Sequence, residues 1–484
     1  MTEETPLQRR HEVLWLLLVS LSWLLANLLT ASRSPTVWMD EVMFSDPAVS
    51  YHLGQGFTST AWYGQTRSEL FAGCPILHQL MLAGWLKLFG LSITAVRSLG
   101  YVFVLLGAWF MWHAVRRAGW ISRPWLRLLL FVMLLTGYGM TFVYRCGRVD
   151  ALLIMLTGAT ALACTLESSH KRWPLLFFLG TATTWTAYHA PVFAACAWLI
   201  AWLFQRGGCW RDVLAFGLGG GAGLAGLMAY IHAQDPEGRI SKAIKTLFIT
   251  GGRSGPSGLA DPSLALLLLL LSVLVWRGRN QKWFEWRSPF IFSLVAAVAV
   301  PLLVWVVGRY PIYYSWMAWV LVIPGVFHAL DHSWESLHRH AQTGALMVLL
   351  TAGVMGLPAR LLLTAWEWKS RDYAPVVELA ARHLKPGDWV FTDYAGYYAV
   401  KPIVEVAATE WFVPAMTVED KRRLDWLMIA PANLPRWSKE LGGEWVDSGF
   451  AVESTQTGFG GGAAKYNLRL YQRQEPRGDR LGSS

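Results

Sequence analysis

Two carboxylates stand side by side in Trp38-Met39-Asp40-Glu41-Val42-Met43-Phe44-Ser45-Asp46-Pro47, directly after the first long apolar run. Asp40 and Glu41, immediately outside that run, are well placed to face a site at the bilayer surface and are candidate catalytic residues. The same residue types also start helices: Asp46 before Pro47 has N-cap and N1 character, and Asp40 fits the cap of a shorter turn. A second group follows in Tyr144-Arg145-Cys146-Gly147-Arg148-Val149-Asp150. Arginine presents a fork that matches phosphate oxygens, so Arg145 and Arg148 are candidate phosphate contacts, with Asp150 orienting an arginine or an attacking hydroxyl. The competing reading is an Arg148 to Asp150 pair that closes a turn. Lys242 and Lys245, together with Arg309 in Gly308-Arg309-Tyr310-Pro311-Ile312-Tyr313-Tyr314, add cations for an anionic ligand. Tyr63, His189, Tyr310, Tyr313 and Tyr314 are candidate cavity-lining residues, with interfacial anchoring as the alternative for the tyrosines of the last turn.

Other residues point to less. His328, His332, His338 and His340 match a metal cluster only in number and read as a solvated loop, so no metal ligand is assigned; a divalent metal cofactor is left open without being indicated. Five cysteines without CxxC spacing exclude a zinc ribbon, a thioredoxin motif and a disulfide framework. Cys74 and Cys146 lie in segments expected on one side of the membrane, where they either pair or stay free. Gly219-Gly220-Gly221 fits close helix packing.

The elements that must hold these residues are membrane spans. Of 484 residues 54% are hydrophobic and 15% charged, a balance that a water-soluble surface does not carry. The excess of Lys and Arg, +10 in all, then reads as positive-inside bias and contact with lipid headgroups, not with nucleic acid. Val13 to Ala31 is too long for a signal-peptide core and fits a retained span. Ser32 to Gly73 follows as an external loop. Pro75 to Gly90 is short and polar for a span and fits a helix lying at the outer interface. Further spans are expected at Ala95 to Val115, Pro124 to Val143, Ala151 to Glu167, Pro174 to Tyr188, Pro191 to Phe204, Val213 to His232, Pro262 to Trp276, Pro289 to Val307, Ser315 to Leu330 and Thr343 to Leu363. That makes about eleven, with the N-terminus cytoplasmic and the C-terminus outside. By this parity the two arginines of the 144–150 turn lie outside, against the charge rule, which favours an anionic ligand there. From about Ser370 charge rises and turn residues appear: Pro375 to Leu384 has helical spacing, and Trp389 to Asp393, Trp426 to Ala430, Trp445 to Val446 and Asn467 to Tyr471 read as strands of a small α/β domain.

These residues and their order resemble the GT-C membrane glycosyltransferases, in particular the branch of protein O-mannosyltransferases and lipid A aminoarabinose transferases. The resemblance lies in the Asp40-Glu41 pair after the first span, the Pro-containing stretch Pro75 to Gly90 ending in Leu-Phe-Gly and followed by Arg97, and the Arg145, Arg148, Asp150 turn. It implies a polytopic α-helical membrane protein in which residues 1–369 form the transferase domain, with an external catalytic loop over 32–94 that includes juxtamembrane helices. Residues 370–474 would form an extracytoplasmic domain and 475–484 a disordered tail. It implies a polyprenyl-phosphate sugar as donor, hexosyl or pentosyl, a lipid, glycan or protein acceptor, and inversion with Asp40 as base. Where relatives carry Glu-Lys-Pro or His-Pro-Pro, this chain has Gly73-Cys74-Pro75, which removes a ligand for a divalent metal at that spot. The bacterial inner membrane is the expected location. A lipid or glycan transporter would instead carry midplane charges and inverted repeats, neither of which is evident; a non-catalytic assembly subunit would leave Asp40 dispensable.

Overall fold

The computed structural model describes residues 6–65, 67–187, 210–235, 260–278, 312–453 and 465–474, with scattered single positions between 238 and 303. Numbered through these residues, the helices of the membrane region are α1 (Pro6–Thr30), α2 (Met39–His52), α3 (Leu77–Phe89), α4 (Ile93–Arg117), α5 (Pro124–Thr136), α6 (Tyr138–Arg145), α7 (Asp150–Cys164), α8 (Ser169–Thr184), α9 (Trp210–Gln234), α10 (Pro262–Gly278), α11 (Ser315–Ser333), α12 (Arg339–Val354) and α13 (Leu357–Trp366). Among the described residues, four helices are long and apolar enough to cross a bilayer, and six if each bent pair counts as one span. The expected span Pro191 to Phe204, and most of Pro289 to Val307, lie outside the described residues.

Burial sorts these helices. In the apolar window around α11, 83% of residues are buried, against 22% in α1, so α11 is the central post and α1 a peripheral one with leucines turned to lipid. Two spans are broken, α5 to α6 by 52° and α12 to α13 by 45°. Glycine permits the first break: a side chain at Gly137 would occupy the Trp319 ring, and one at Gly139 the Ser315 hydroxyl. Gly356, at the second break, packs on the backbone of Thr136 and Gly137, so the two bends seat against each other. The 219–221 glycines serve close packing. Gly219 lies on the Phe177 backbone, and the Thr181 and Thr184 hydroxyls donate to the Gly219 and Gly220 carbonyls at 2.9 and 3.2 Å.

The segment expected to be external contains α2 and α3. α3, at 13 residues, is too short to span, in keeping with the interfacial reading. α2 departs from expectation: it begins at Met39 and runs through Pro47, so Asp46 is no N-cap but lies in mid-helix. The reason is what its carboxylate binds. Asp46 accepts from Ser59 Oγ (2.6 Å), Thr60 N (2.7 Å), Ala61 N (3.0 Å) and Tyr397 OH, and pairs with Lys401 Nζ at 3.4 Å.

Those last two partners belong to the C-terminal α/β layer, which opens with α14 (Ala374–His383) and contains β1 (Trp389–Thr392), β2 (Val406–Ala408), β3 (Trp426–Ile429), β4 (Glu444–Glu453) and β5 (Asn467–Gln474). The sheet order is β2-β1-β3-β5-β4, parallel among the first three strands and antiparallel thereafter. β2 was not expected: three residues, Val406-Ala407-Ala408, give too short a pattern to read. All three are buried because they lie under the 59–65 loop, where Thr60 Oγ1 donates to the Ala407 carbonyl at 2.7 Å.

The α8–α9 packing yields a paired test. Gly219→Ala forces a methyl group into the Phe177 backbone and should destabilise the protein by about 1–3 kcal/mol. Gly221→Ala, in open space, should be neutral or slightly stabilising. Thermal melts of the two variants in detergent check this, and equal melting temperatures would mean that the two helices do not meet in this register.

Candidate active site

The first turn of α2 carries Asp40 and Glu41, and at about 100° per residue a helix must aim them differently. Glu41 turns inward. It is wholly buried, and both its oxygens accept from Arg97, Nε to Oε1 and Nη2 to Oε2, each at 2.6 Å. Arg97 Nη1 donates to the carbonyls of Ala31 (2.5 Å) and Pro35 (2.8 Å), so one guanidinium ties the end of α1, the start of α2 and α4. With both oxygens held by Arg97, Glu41 is bound into the frame around the site and is not open to solvent.

Asp40 turns the other way, onto Arg148. Arg148 Nη1 donates to Asp40 Oδ2 while its Nε donates to Asp150 Oδ2 at 2.8 Å. Asp150 Oδ1 accepts from Trp316 Nε1 at 3.3 Å, which fixes the pair to the central α11. The turn-closing reading of Arg148 and Asp150 is thus present, and Arg148 reaches Asp40 as well. Aromatic rings close in on the guanidinium: its carbon lies 4.3 Å from the Tyr313 ring centre, 5.5 Å from Phe44, 5.8 Å from Trp38 and 6.0 Å from Tyr314. Side-chain exposure separates the three charged groups, at 17% for Asp40 against 3% for Arg148 and 0% for Asp150. Asp40 is the member that solvent, or a substrate, can reach. Trp38 Nε1 is buried beside it and has no hydrogen-bond partner among the described residues.

Arg145 sits elsewhere than expected. It is buried, with Nη1 on Asn27 Oδ1 at 2.5 Å and Nη2 on Thr30 Oγ1 (2.8 Å) and the Ser34 carbonyl (3.0 Å), so its hydrogen bonds hold the top of α1. Its charge has no carboxylate partner among the described residues. Tyr63 packs edge-on to Trp411 of the C-terminal layer, 5.6 Å between ring centres, and the Trp411 indole N–H points at Met39 Sδ, one residue from Asp40. His78, at the start of α3, is pushed down to about 4 by burial, against the opposing pull of the Asp150 charge, and so stays neutral at pH 7. Lys242 is exposed and has no side-chain contact with this group among the described residues. His189, Lys245, Arg309 and Tyr310 lie outside the described residues. Cys74 and Cys146 are free thiols, not a pair. His328 is buried within α11 and bonded to the Trp120 carbonyl, not in a solvated loop, and among the described residues no group of side chains could hold a metal ion. The sequence reading missed Trp38, Phe44, Trp316 and Trp411; their only signal was aromatic type, which the many interfacial tryptophans obscure.

No protein-family model and no curated protein sequence matches the chain. Solved structures do. ArnT from Cupriavidus metallidurans bound to undecaprenyl phosphate superposes with a TM-score of 0.61 at 14% identity over 95% of this chain and 97% of that one. Its apo state gives 0.60 at 12%, with the same coverage. The apo oligosaccharyltransferase of Archaeoglobus fulgidus gives 0.52 at 9%, over 90% of this chain and 72% of that one. At such identities the fold is what is shared: the chain is a polytopic membrane protein with the GT-C fold, as the resemblance implied.

The different burial of neighbouring carboxylates predicts different consequences. Glu41→Gln strands a buried guanidinium and should lower stability by about 3–5 kcal/mol. Asp40→Asn leaves Arg148 paired with Asp150 and should melt like the parent. Melting temperatures in one detergent decide; the reverse order would make Asp40 the structural member.

Proposed function

We propose that the chain is a glycosyltransferase that takes a sugar from a polyprenyl-phosphate donor and transfers it, with inversion, to an acceptor hydroxyl. The observation that carries this reading is the Asp40–Arg148–Asp150 group, in which one partly open carboxylate shares a buried guanidinium with a fully buried one. Asp150 pins the Arg148 Nε, so the fork keeps its direction while Nη1 can exchange Asp40 for a donor phosphate oxygen. Donor binding would then release Asp40 from its ion pair at the moment a base is needed, since an opposite charge at contact distance weakens a carboxylate as a base.

In the reaction, the acceptor oxygen attacks the anomeric carbon and its proton passes to Asp40. The bond from that carbon to the phosphate oxygen breaks, and the electron pair leaves with the polyprenyl phosphate. Arg148 stabilises the charge that develops on the phosphate, with Trp38 Nε1 as a second donor and Arg145 contributing charge from behind. Lys242, Lys245 and Arg309 remain proposed contacts for the donor, and His189 and Tyr310 for the cavity wall. The aromatic rings around Arg148, Tyr313 and Tyr314 among them, keep water from the leaving group. Tyr63 and Trp411 mark the acceptor side, because they join the C-terminal layer to the residue before Asp40. We place the site at the external face of a bacterial inner membrane, in a transferase domain of about eleven spans over residues 1–369, with the N-terminus cytoplasmic and residues 370–474 extracytoplasmic.

Purified protein in lipid, given labelled polyprenyl-phosphate sugars and envelope extracts as acceptors, tests the reading. Asp40→Asn should retain donor binding and lose transfer by about 10²–10⁴-fold. Equal transfer by parent and variant would remove Asp40 from the chemistry, and donors bound but left intact by both would favour transport.

A further inference from the structure

Arg360, on α13, is half-buried, and no carboxylate pairs with it among the described residues. Its Nε is buried without a hydrogen-bond partner. Its guanidinium lies over two rings, 5.3 Å from the centre of Tyr138 and 5.0 Å from that of Phe142. The charges of Arg360 and Arg145 oppose each other. A cation at membrane depth without a counter-charge is costly and calls for an anion.

The helix beneath it supplies the other half of a ligand. Leu357, three residues earlier and so on the same face one turn below, lines a groove of about 430 Å³ between α1, α5 and α13. Its walls include Trp15, Leu18 and Trp23 of α1 and Leu135 and Thr136 of α5, and Ser22 and Thr136 bring its few polar atoms. The upper end is fixed by Trp23, whose indole donates to the Leu135 carbonyl at 3.1 Å and to Tyr144 OH at 3.3 Å. One turn above Trp23 on α1 is Asn27, which holds Arg145. The apolar groove thus ends one helical turn below two arginines that no described carboxylate neutralises.

We propose that this groove binds a monoanionic glycerophospholipid of the outer leaflet, with its phosphate on Arg360 and one acyl chain along α1. Charge complementarity selects the headgroup. From Trp15 to Trp23 the groove runs about 12 Å at 1.5 Å per residue, which holds the upper part of one acyl chain. This inference is independent of the transferase reading, because lipid retention is measured without turnover.

The test is native mass spectrometry of the delipidated full chain with phosphatidylglycerol, phosphatidylcholine and undecaprenyl phosphate added in turn and in competition. The parent should hold one phosphatidylglycerol about five- to tenfold more tightly than phosphatidylcholine, the scale expected when a headgroup of net charge −1 replaces a zwitterion beside one arginine without a counter-charge. Arg360→Gln should erase that preference, and Leu18→Trp, which fills the groove, should lose both lipids. An unchanged preference in Arg360→Gln would overturn the proposal even if Leu18→Trp does not fold. So would one-for-one displacement of phosphatidylglycerol by undecaprenyl phosphate, which would give the groove to the donor.

Discussion

The buried Glu41–Arg97 pair is the constraint on which the arrangement around α2 depends. Two charges removed from water are tolerated only if nearly every polar atom is used, and here four of the five Arg97 N–H groups have acceptors in three different segments. The pair therefore fixes where α1 ends, where α2 begins and how α4 stands beside them. Because α2 is rigid, fixing Glu41 also fixes the direction of Asp40, one residue earlier. The position of the proposed base is thus set by a carboxylate whose own oxygens are both held by Arg97.

A second buried carboxylate anchors the other end of the same helix. Asp46 gathers the 59–61 loop, Tyr397 and Lys401, and Ser45 adds a hydroxyl contact to Tyr398 at 2.7 Å. α2 is thereby held at one end by the membrane helices and at the other by the C-terminal layer. Any shift of that layer is carried along α2 to Asp40, and Trp411 gives a shorter route through Met39. The layer is mechanically part of the site whether or not it touches an acceptor.

Much of this architecture was legible. Span positions follow from long apolar runs, and four of the five strands from short β-branched and aromatic runs between turn residues. The 144–150 turn, singled out by its two arginines, is the one that carries the Arg148–Asp40 contact. What could not be read was direction. Asp40-Glu41 reads as one motif by adjacency in sequence; once the segment is helical, neighbours diverge by about 100°. Asp46-Pro47 read as a helix start by local preference, and a tertiary contact thirteen to fifteen residues away overrode it. β2 was invisible because its burial comes from a loop some 350 residues earlier.

Sorting by direction also explains why three carboxylates on one short helix have three fates. At positions 40, 41 and 46 they occupy different faces of α2, toward Arg148, Arg97 and Lys401. The last two face partners that are wholly protein-bound, so their charges are spent within the fold. Asp40 faces an arginine already claimed through its Nε by Asp150, and so shares a cation whose charge is divided between two carboxylates. That group carries one negative charge in excess, while Arg145, held by Asn27 and Thr30, carries a positive charge without a carboxylate among the described residues. An anionic phosphate entering there would be attracted by Arg145 and would compete with Asp40 for Arg148. The charge imbalance of the resting site is therefore the same feature that would make it receptive to a phosphate and, once the phosphate is bound, leave Asp40 free to accept a proton.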